Sequence, residues 1–197
     1  MRRGEVRRDT KETSVKLAID LDGKGTSDIA TGVPFLDHML DLFSRHGLFD
    51  LEVQAKGDLE VDAHHTVEDI GICLGKAVRD ALGGGHGIRR YGWAILPMDE
   101  TLATVALDLG GRPYLSFSIP SLDGGMGDFS MELIPEFFQA FCNNAGANMH
   151  IKVEPGRNRH HIAEAIYKAF SKALDQAVSI DTRVEGIPST KGKIGEQ

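Results

Sequence analysis

Cysteine is nearly missing from this chain. Of 197 residues only Cys73 and Cys142 are cysteines, and each falls within a helical apolar pattern. They read as buried thiols rather than a disulfide, which fits a reducing cytoplasm. No apolar run approaches the roughly 18 residues needed to span a bilayer. The basic opening "RRGEVRR" (2–8) is not followed by an apolar stretch of signal-peptide length. Excess positive charge is also lacking: the net charge of −7 argues against a general affinity for nucleic acid. P-loop, GxGxxG and CxxC patterns are all absent. What remains is an ordinary globular composition, 41% apolar and 26% charged, long enough to bury a good core.

Against that background two stretches stand out. "DAHHTVEDIGICLGKA" (62–77) and "NRHHIAEAIYKAFSKA" (158–173) align without gaps at an offset of 96, so that His64, His65 and Glu68 fall on His160, His161 and Glu164. Apolar residues at 67, 70, 74, 77 and 81 match those at 163, 166, 170, 173 and 177, the spacing of one helix face. Upstream, "KETSVKLAIDLDG" (11–23) matches "DETLATVALDLGG" (99–111) at an offset of 88, with Glu12 on Glu100. Between these anchors "FLDHML" (35–40) lies opposite "LIPEFF" (133–138), which sets His38 against Glu136. The unequal offsets are differences in loop length. The chain is a duplicated unit.

Each unit reads coarsely as strand, helix, strand, helix. Residues 13–21, 49–55, 101–109, 113–119 and 148–154 have strand patterning. Short amphipathic helices are expected at 35–45 and 131–142, and long ones at about 64–82 and 160–178. The fold class is α/β (α+β), a layered sandwich in which two sheet-plus-helices units bury their helix faces together. The divisions are 1–86 for the first unit, 87–180 for the second and 181–197 for the tail, within one compact duplicated domain. "GGGHG" (83–87) reads as the flexible joint between the units. The tail has no periodicity, and alone it would be taken for disordered.

On a helix turning about 100° per residue, His65 lies about 100° from His64, and Glu68 about 40° from it. Adjacent histidines therefore point too far apart to share one metal comfortably, and each suits a different ion. Imidazole with carboxylate favours Mn, Fe, Zn or Co over Ca. The two copies supply four histidines and two glutamates, with His38 and Glu136 as further candidates, enough for two sites of about four protein ligands. Other basic residues are less distinctive. His46 is placed either to cap helix carbonyls or to serve a site, His86 to be exposed, and His150 to be structural. Arg90, Arg112, Lys168, Ser189 and Lys191 form a possible anion-binding set.

At this point the chain resembles the imidazoleglycerol-phosphate dehydratase family along essentially all its length. The motifs that carry the resemblance are "RDTKET" (8–13), "TGVPFLDHML" (31–40), "DAHHTVEDIG" (62–71), "PMDETL" (97–102), "GRPYL" (111–115), "NRHHIAEAIYKA" (158–169) and "PSTKG" (188–192). The resemblance implies a lyase of histidine biosynthesis that removes water from imidazole glycerol phosphate to give imidazole acetol phosphate. It implies two Mn²⁺ per subunit, a cytoplasmic homo-oligomer of 24 subunits with active sites between them, and helices packed between two mixed β-sheets. It assigns His38, His65, Glu68 and His161 to one ion, and His64, His160, Glu164 and residue 136 to the other. Glu12 becomes the candidate proton-transfer group, counted with His64, Glu68, His160 and Glu164 as catalytic. His38 and His46 become substrate contacts, while Arg90, Arg112, Lys168, Ser189 and Lys191 grip phosphate. The tail becomes a segment ordered in the assembled active site. One departure is visible, since many family members have His where this chain has Glu136. Two other functions compete: a dinuclear hydrolase, and a non-catalytic metal-binding or shell-forming protein, which leaves "PSTKG" and the arginines unexplained.

Overall fold

The structure is a computed structural model that describes residues 2–194. Its first half runs β1(Arg3–Asp9), β2(Thr13–Asp20), β3(Ser27–Ala30), α1(Pro34–Gly47), β4(Asp50–Gly57) and α2(His64–Leu82). The second half begins β5(Tyr91–Met98), β6(Thr101–Asp108) and β7(Tyr114–Ser118), then inserts a small hairpin, β8(Gly125–Met126) with β9(Phe129–Ser130). It ends with α3(Leu133–Ala145), β10(Asn148–Val153) and α4(Arg159–Val178). The sheets have the orders β1-β2-β4-β3 and β5-β6-β10-β7. In each, the last strand pairs in parallel with its neighbour and the others pair antiparallel. The duplication is therefore topological as well as sequential.

Each four-stranded sheet has two strands more than the pattern strand, helix, strand, helix, and the second half adds the hairpin. The strand β1 escapes the pattern because its inward positions are Gly4, Val6 and Arg8, only one of them conventionally apolar. Glycine is needed there: a Cβ on Gly4 would lie 1.9 Å from the carbonyl oxygen of Ala77. Gly92 on β5 repeats this, its Cβ falling 1.8 Å from Ala173 O. Arg8 points inward to pair with the nearly buried Asp69 at 2.8 Å, and Thr13 donates to the other oxygen of that carboxylate. That network ties the β1–β2 turn, and with it Glu12, to the first turns of α2.

The helices form the middle layer. Helix α2 covers β1 and β2 and α4 covers β5 and β6, while across the halves α1 packs on α4 and α2 on α3. Gly71 and Gly75 let α2 approach α3 closely, since a Cβ at either would stand 2.6 Å from a carbonyl of α3. On the other side the seam is aromatic: Phe43 of α1 stacks on Phe170 of α4, with ring centroids 5.2 Å apart. One continuous core results.

The segment 83–87 is a hydrogen-bonded turn rather than an open joint. Gly85 N–H donates to Leu82 O, and Gly87 N–H donates to Gly186 O at 2.7 Å. Residues 181–194 carry no helix or strand, yet they lie against the start of the second half, where Ile88 bridges Ile180 and Asp181 N–H donates to Gly87 O. Composition gives no sign of those partners, because they are backbone groups far away in sequence.

Tyr167 is fully buried and its hydroxyl has no hydrogen-bond partner among the described residues. Removing an unsatisfied buried hydroxyl should stabilise, so Tyr167→Phe is expected to raise the unfolding free energy by about 1 kcal/mol. Gly92→Ala should lower it by about 3 kcal/mol, because backbone and not a movable side chain is in the way. Urea unfolding of the metal-free variants checks both, and a less stable Tyr167→Phe would mean that a trapped water satisfies the hydroxyl.

Candidate functional site

Both histidine pairs open the first turn of a long helix, and similar caps place them. Asp62 Oδ1 accepts from His64 N–H at 2.7 Å, and at the matching position Asn158 Oδ1 accepts from His160 N–H at 2.9 Å. One turn on, Glu164 gathers ligands from both halves. Its Oε1 lies 2.9 Å from Nε2 of His38 on α1 and 3.0 Å from Nε2 of His160. These three donor atoms lie within 4.8 Å of one another. Lys168, one further turn along α4, holds the other carboxylate oxygen at 2.5 Å. Burial would raise the pKa of Glu164, but the Lys168 ammonium and the two imidazoles prevail and hold it at about 2. A carboxylate kept ionised between two imidazoles suits a borderline divalent cation, and the ammonium already on it shows how strongly the position draws positive charge.

Opposite this cluster the repeat places Glu136 for His38 and Ile72 for Lys168. There His64 and Glu136 line one cavity of about 390 Å³, together with Asp62 and Asp128. Glu68 is half-buried one turn further along α2. A second cavity of about 610 Å³ opens beside His38, walled by Phe35, Leu59 and the inserted hairpin at Met126 and Phe129.

The outer histidines turn elsewhere, as the helical angle between adjacent residues requires. His65 Nδ1 faces Asp58 Oδ2 at 3.0 Å, with Glu12 at 3.9 Å. His161 Nδ1 faces Glu100 Oε2 at 2.7 Å, and Asp99 stands 3.7 Å from its Nε2. A carboxylate on Nδ1 fixes the tautomer and leaves Nε2 as the outward ligand atom, the arrangement common behind metal-bound histidines. The hydrogen bond to Asp58 raises the pKa of His65, and the one to Glu100 raises that of His161. Asp58, Asp99 and Glu100 are absent from the sequence-derived set. For Glu100 the signal was available, since it aligns with Glu12.

Neither set of four ligands is assembled within one chain: among the described residues only His38, His160 and Glu164 converge as a group of three. The anion-binding residues divide as well. Arg90, Arg112, Ser189 and Lys191 line one cavity of about 850 Å³, joined by Thr190 and Lys193. Arg90 is committed there to Asp108 at 2.6 Å and to Pro188 O at 2.9 Å. Lys168 instead sits on Glu164. His46 lies half-buried near the α4 lysines, its pKa lowered first by burial and then by Lys168 and Lys172. His86 and His150 are both exposed.

Comparison with known proteins points one way. The family model described as imidazoleglycerol-phosphate dehydratase matches residues 31–174. The imidazoleglycerol-phosphate dehydratase of Geobacter metallireducens is 57% identical over 193 residues, 98% of this chain and 99% of that protein. The Azorhizobium caulinodans protein of the same name is 57% identical over 196 residues, 99% of this chain and 100% of that one. The crystal structure of the Staphylococcus aureus dehydratase superposes with a TM-score of 0.81 at 41% identity, covering 91% of this chain and 99% of that one. The Pyrococcus furiosus structure gives a TM-score of 0.81 at 36% identity, covering 95% of this chain and 99% of that one.

The raised pKa of His161 has a definite sign for pH dependence. Its proton is bound more tightly in the folded chain, so this stabilisation is present below the ordinary value of 6.5 and is lost as pH rises through the raised one. The same proton competes with metal for Nε2, so metal uptake should weaken as pH falls. Glu100→Gln should bring the His161 midpoint down toward 6.5, as read by NMR titration of the metal-free protein. An unmoved midpoint would show that Glu100 does not hold the ring in solution.

Proposed function

The chain belongs to the imidazoleglycerol-phosphate dehydratase family, a hydro-lyase of histidine biosynthesis, and from that premise we propose that it dehydrates imidazole glycerol phosphate using two Mn²⁺ per chain. The sites are completed by neighbouring copies of the same chain, in an assembly of 24 subunits. The observation that carries this reading is the incomplete ligand set. His38, His160 and Glu164 converge, while His65 and His161 have Nδ1 anchored by a carboxylate and, among the described residues, join no such group of three. A second copy would supply what each lacks. A cytoplasmic setting belongs to the same proposal. Cys73 and Cys142 are buried free thiols, their pKa values pushed by burial to about 11 and about 12. No helix among the described residues is long and apolar enough to cross a membrane.

The proton to be removed is carbon-bound and has no carbonyl beside it, so a carboxylate alone is too weak a base. Mn²⁺ held by the His and Glu donors would supply Lewis-acid polarisation of the substrate imidazole and a template for it. The protein's own groups do the rest. Arg112, Ser189 and Lys191, with Arg90 behind them, hold the phosphate and so fix the distance from that anchor to the imidazole. Glu12, whose side chain is 57% exposed, carries the proton. Glu136 takes the ligand position opposite His38, a harder donor than imidazole and better matched to Mn²⁺ than to softer competitors.

An absorbance assay for the ketone product, run on chelated and Mn²⁺-restored protein, tests the reaction. Turnover should vanish on chelation and return with Mn²⁺. Release of inorganic phosphate without ketone would make the chain a hydrolase, and metal uptake with no turnover would make it a binding protein. Glu136 has its own test. Glu136→Ala should leave about one tightly bound Mn²⁺ per chain and Glu136→His should restore two; two tight ions in the alanine variant would remove Glu136 from the site.

A further inference from the structure

Glu12 and Glu100 occupy matching positions in the two halves, each in the turn between the first two strands, yet their partners differ. Glu100 is fully committed. Its Oε1 accepts from Arg157 N–H at 3.1 Å and Asn158 N–H at 2.9 Å, and Oε2 faces His161 Nδ1 at 2.7 Å. Glu12 stands 3.9 Å from His65 Nδ1, and among the described residues no hydrogen bond reaches its carboxylate. Only its backbone is fastened, N–H donating to Thr10 Oγ1 at 3.1 Å.

The cause lies in the segment that follows the central strand of each half. After β4 comes Asp58, whose Oδ2 takes His65 Nδ1 at 3.0 Å. After β10 the chain reads Glu154, Pro155, Gly156, and Glu154 turns away to Lys152 at 3.0 Å. Among the described residues the second half thus offers Nδ1 of its outer histidine only the carboxylate of Glu100, Asp99 standing instead 3.7 Å from Nε2. An imidazole presenting Nε2 outward needs an acceptor on Nδ1. A carboxylate bound in that way is held in place by the bond and is a weaker base toward any other proton.

We propose that Asp58 is a positioning residue that orients the His65 ring and, by taking Nδ1, leaves Glu12 free to reach substrate. This rests on the proton-transfer role proposed for Glu12. Loss of Asp58 would let Glu12 close the gap to His65, reproducing in the first half the fixed pair that Glu100 and His161 make in the second.

The test uses the full chain, depleted of metal and titrated with Mn²⁺. Asp58→Ala and Asp58→Asn are made alone and with Glu12→Gln, and thermal melts establish that each is folded. Asp58→Ala should weaken one class of Mn²⁺ site by about 10- to 100-fold in titration calorimetry. At saturating Mn²⁺ it should still lower kcat about tenfold with little change in KM, because Glu12 is diverted. Adding Glu12→Gln to Asp58→Ala should then cost much less than Glu12→Gln costs in the unaltered chain. Asp58→Asn keeps an acceptor oxygen and should restore most of the loss; if the alanine variant does not fold, Asp58→Ser, whose hydroxyl is too short to reach Nδ1, carries the same comparison. Unchanged Mn²⁺ affinity and kcat in folded Asp58→Ala would overturn the proposal, as would fully additive kcat losses. If Glu12→Gln alone turned over normally, the role of Glu12 would fall and the freeing of Glu12 with it. The Mn²⁺ affinity of Asp58→Ala would still report separately on the orientation of His65.

Discussion

Everything at the site depends on the helices of one half burying their apolar faces against those of the other. An amphipathic helix over a small sheet leaves one stripe uncovered, and here α1 closes the gap on α4 while α2 closes it on α3. The aromatic stack of Phe43 on Phe170 sets the spacing of the first pair, and Gly71 and Gly75 set that of the second. Because α1 lies along α4, His38 reaches Glu164 across 126 residues of sequence. The hydrophobic constraint and the chemical one are thus met by the same pair of helices.

Duplication gave two copies of one geometry, and the copies have diverged in charge. On one side two imidazoles and an ammonium surround Glu164. On the other, Glu136 and Ile72 stand where His38 and Lys168 would be, so the cavity beside His64 is acidic. The outer positions diverged too. Glu100 is held by two backbone N–H groups and an imidazole, which places its pKa far below the carboxylate range, led by the His161 bond. Glu12 has no such restraint. A duplicated scaffold allows this because the backbone that presents a residue is maintained by packing elsewhere, so one copy can change its side chains without moving the frame.

Long-range backbone bonds extend the frame to the chain end. Arg90 has a positive φ of 70°, and its guanidinium bonds both Asp108 and Pro188 O. That places Ser189 and Lys191 beside Arg112. A tail that composition alone would call disordered is therefore held beside the arginines of that cavity.

The duplication itself, the four helices, strands β2, β4, β6, β7 and β10, and the divergence of adjacent histidines could all be read from residue order. Each is a local or periodic property, set by side-chain spacing along one element. The strands β1 and β5 could not, since Gly4 and Gly92 are small for a contact with helices met only after folding. Likewise the pairing of His38 with Glu164, of His65 with Asp58 and of Arg90 with Pro188 O was decided by the tertiary structure. Residue types state what a group can bind. Which group stands within 3 Å of it depends on crossing helices and loop lengths, and those are settled only when the two halves close on a common core.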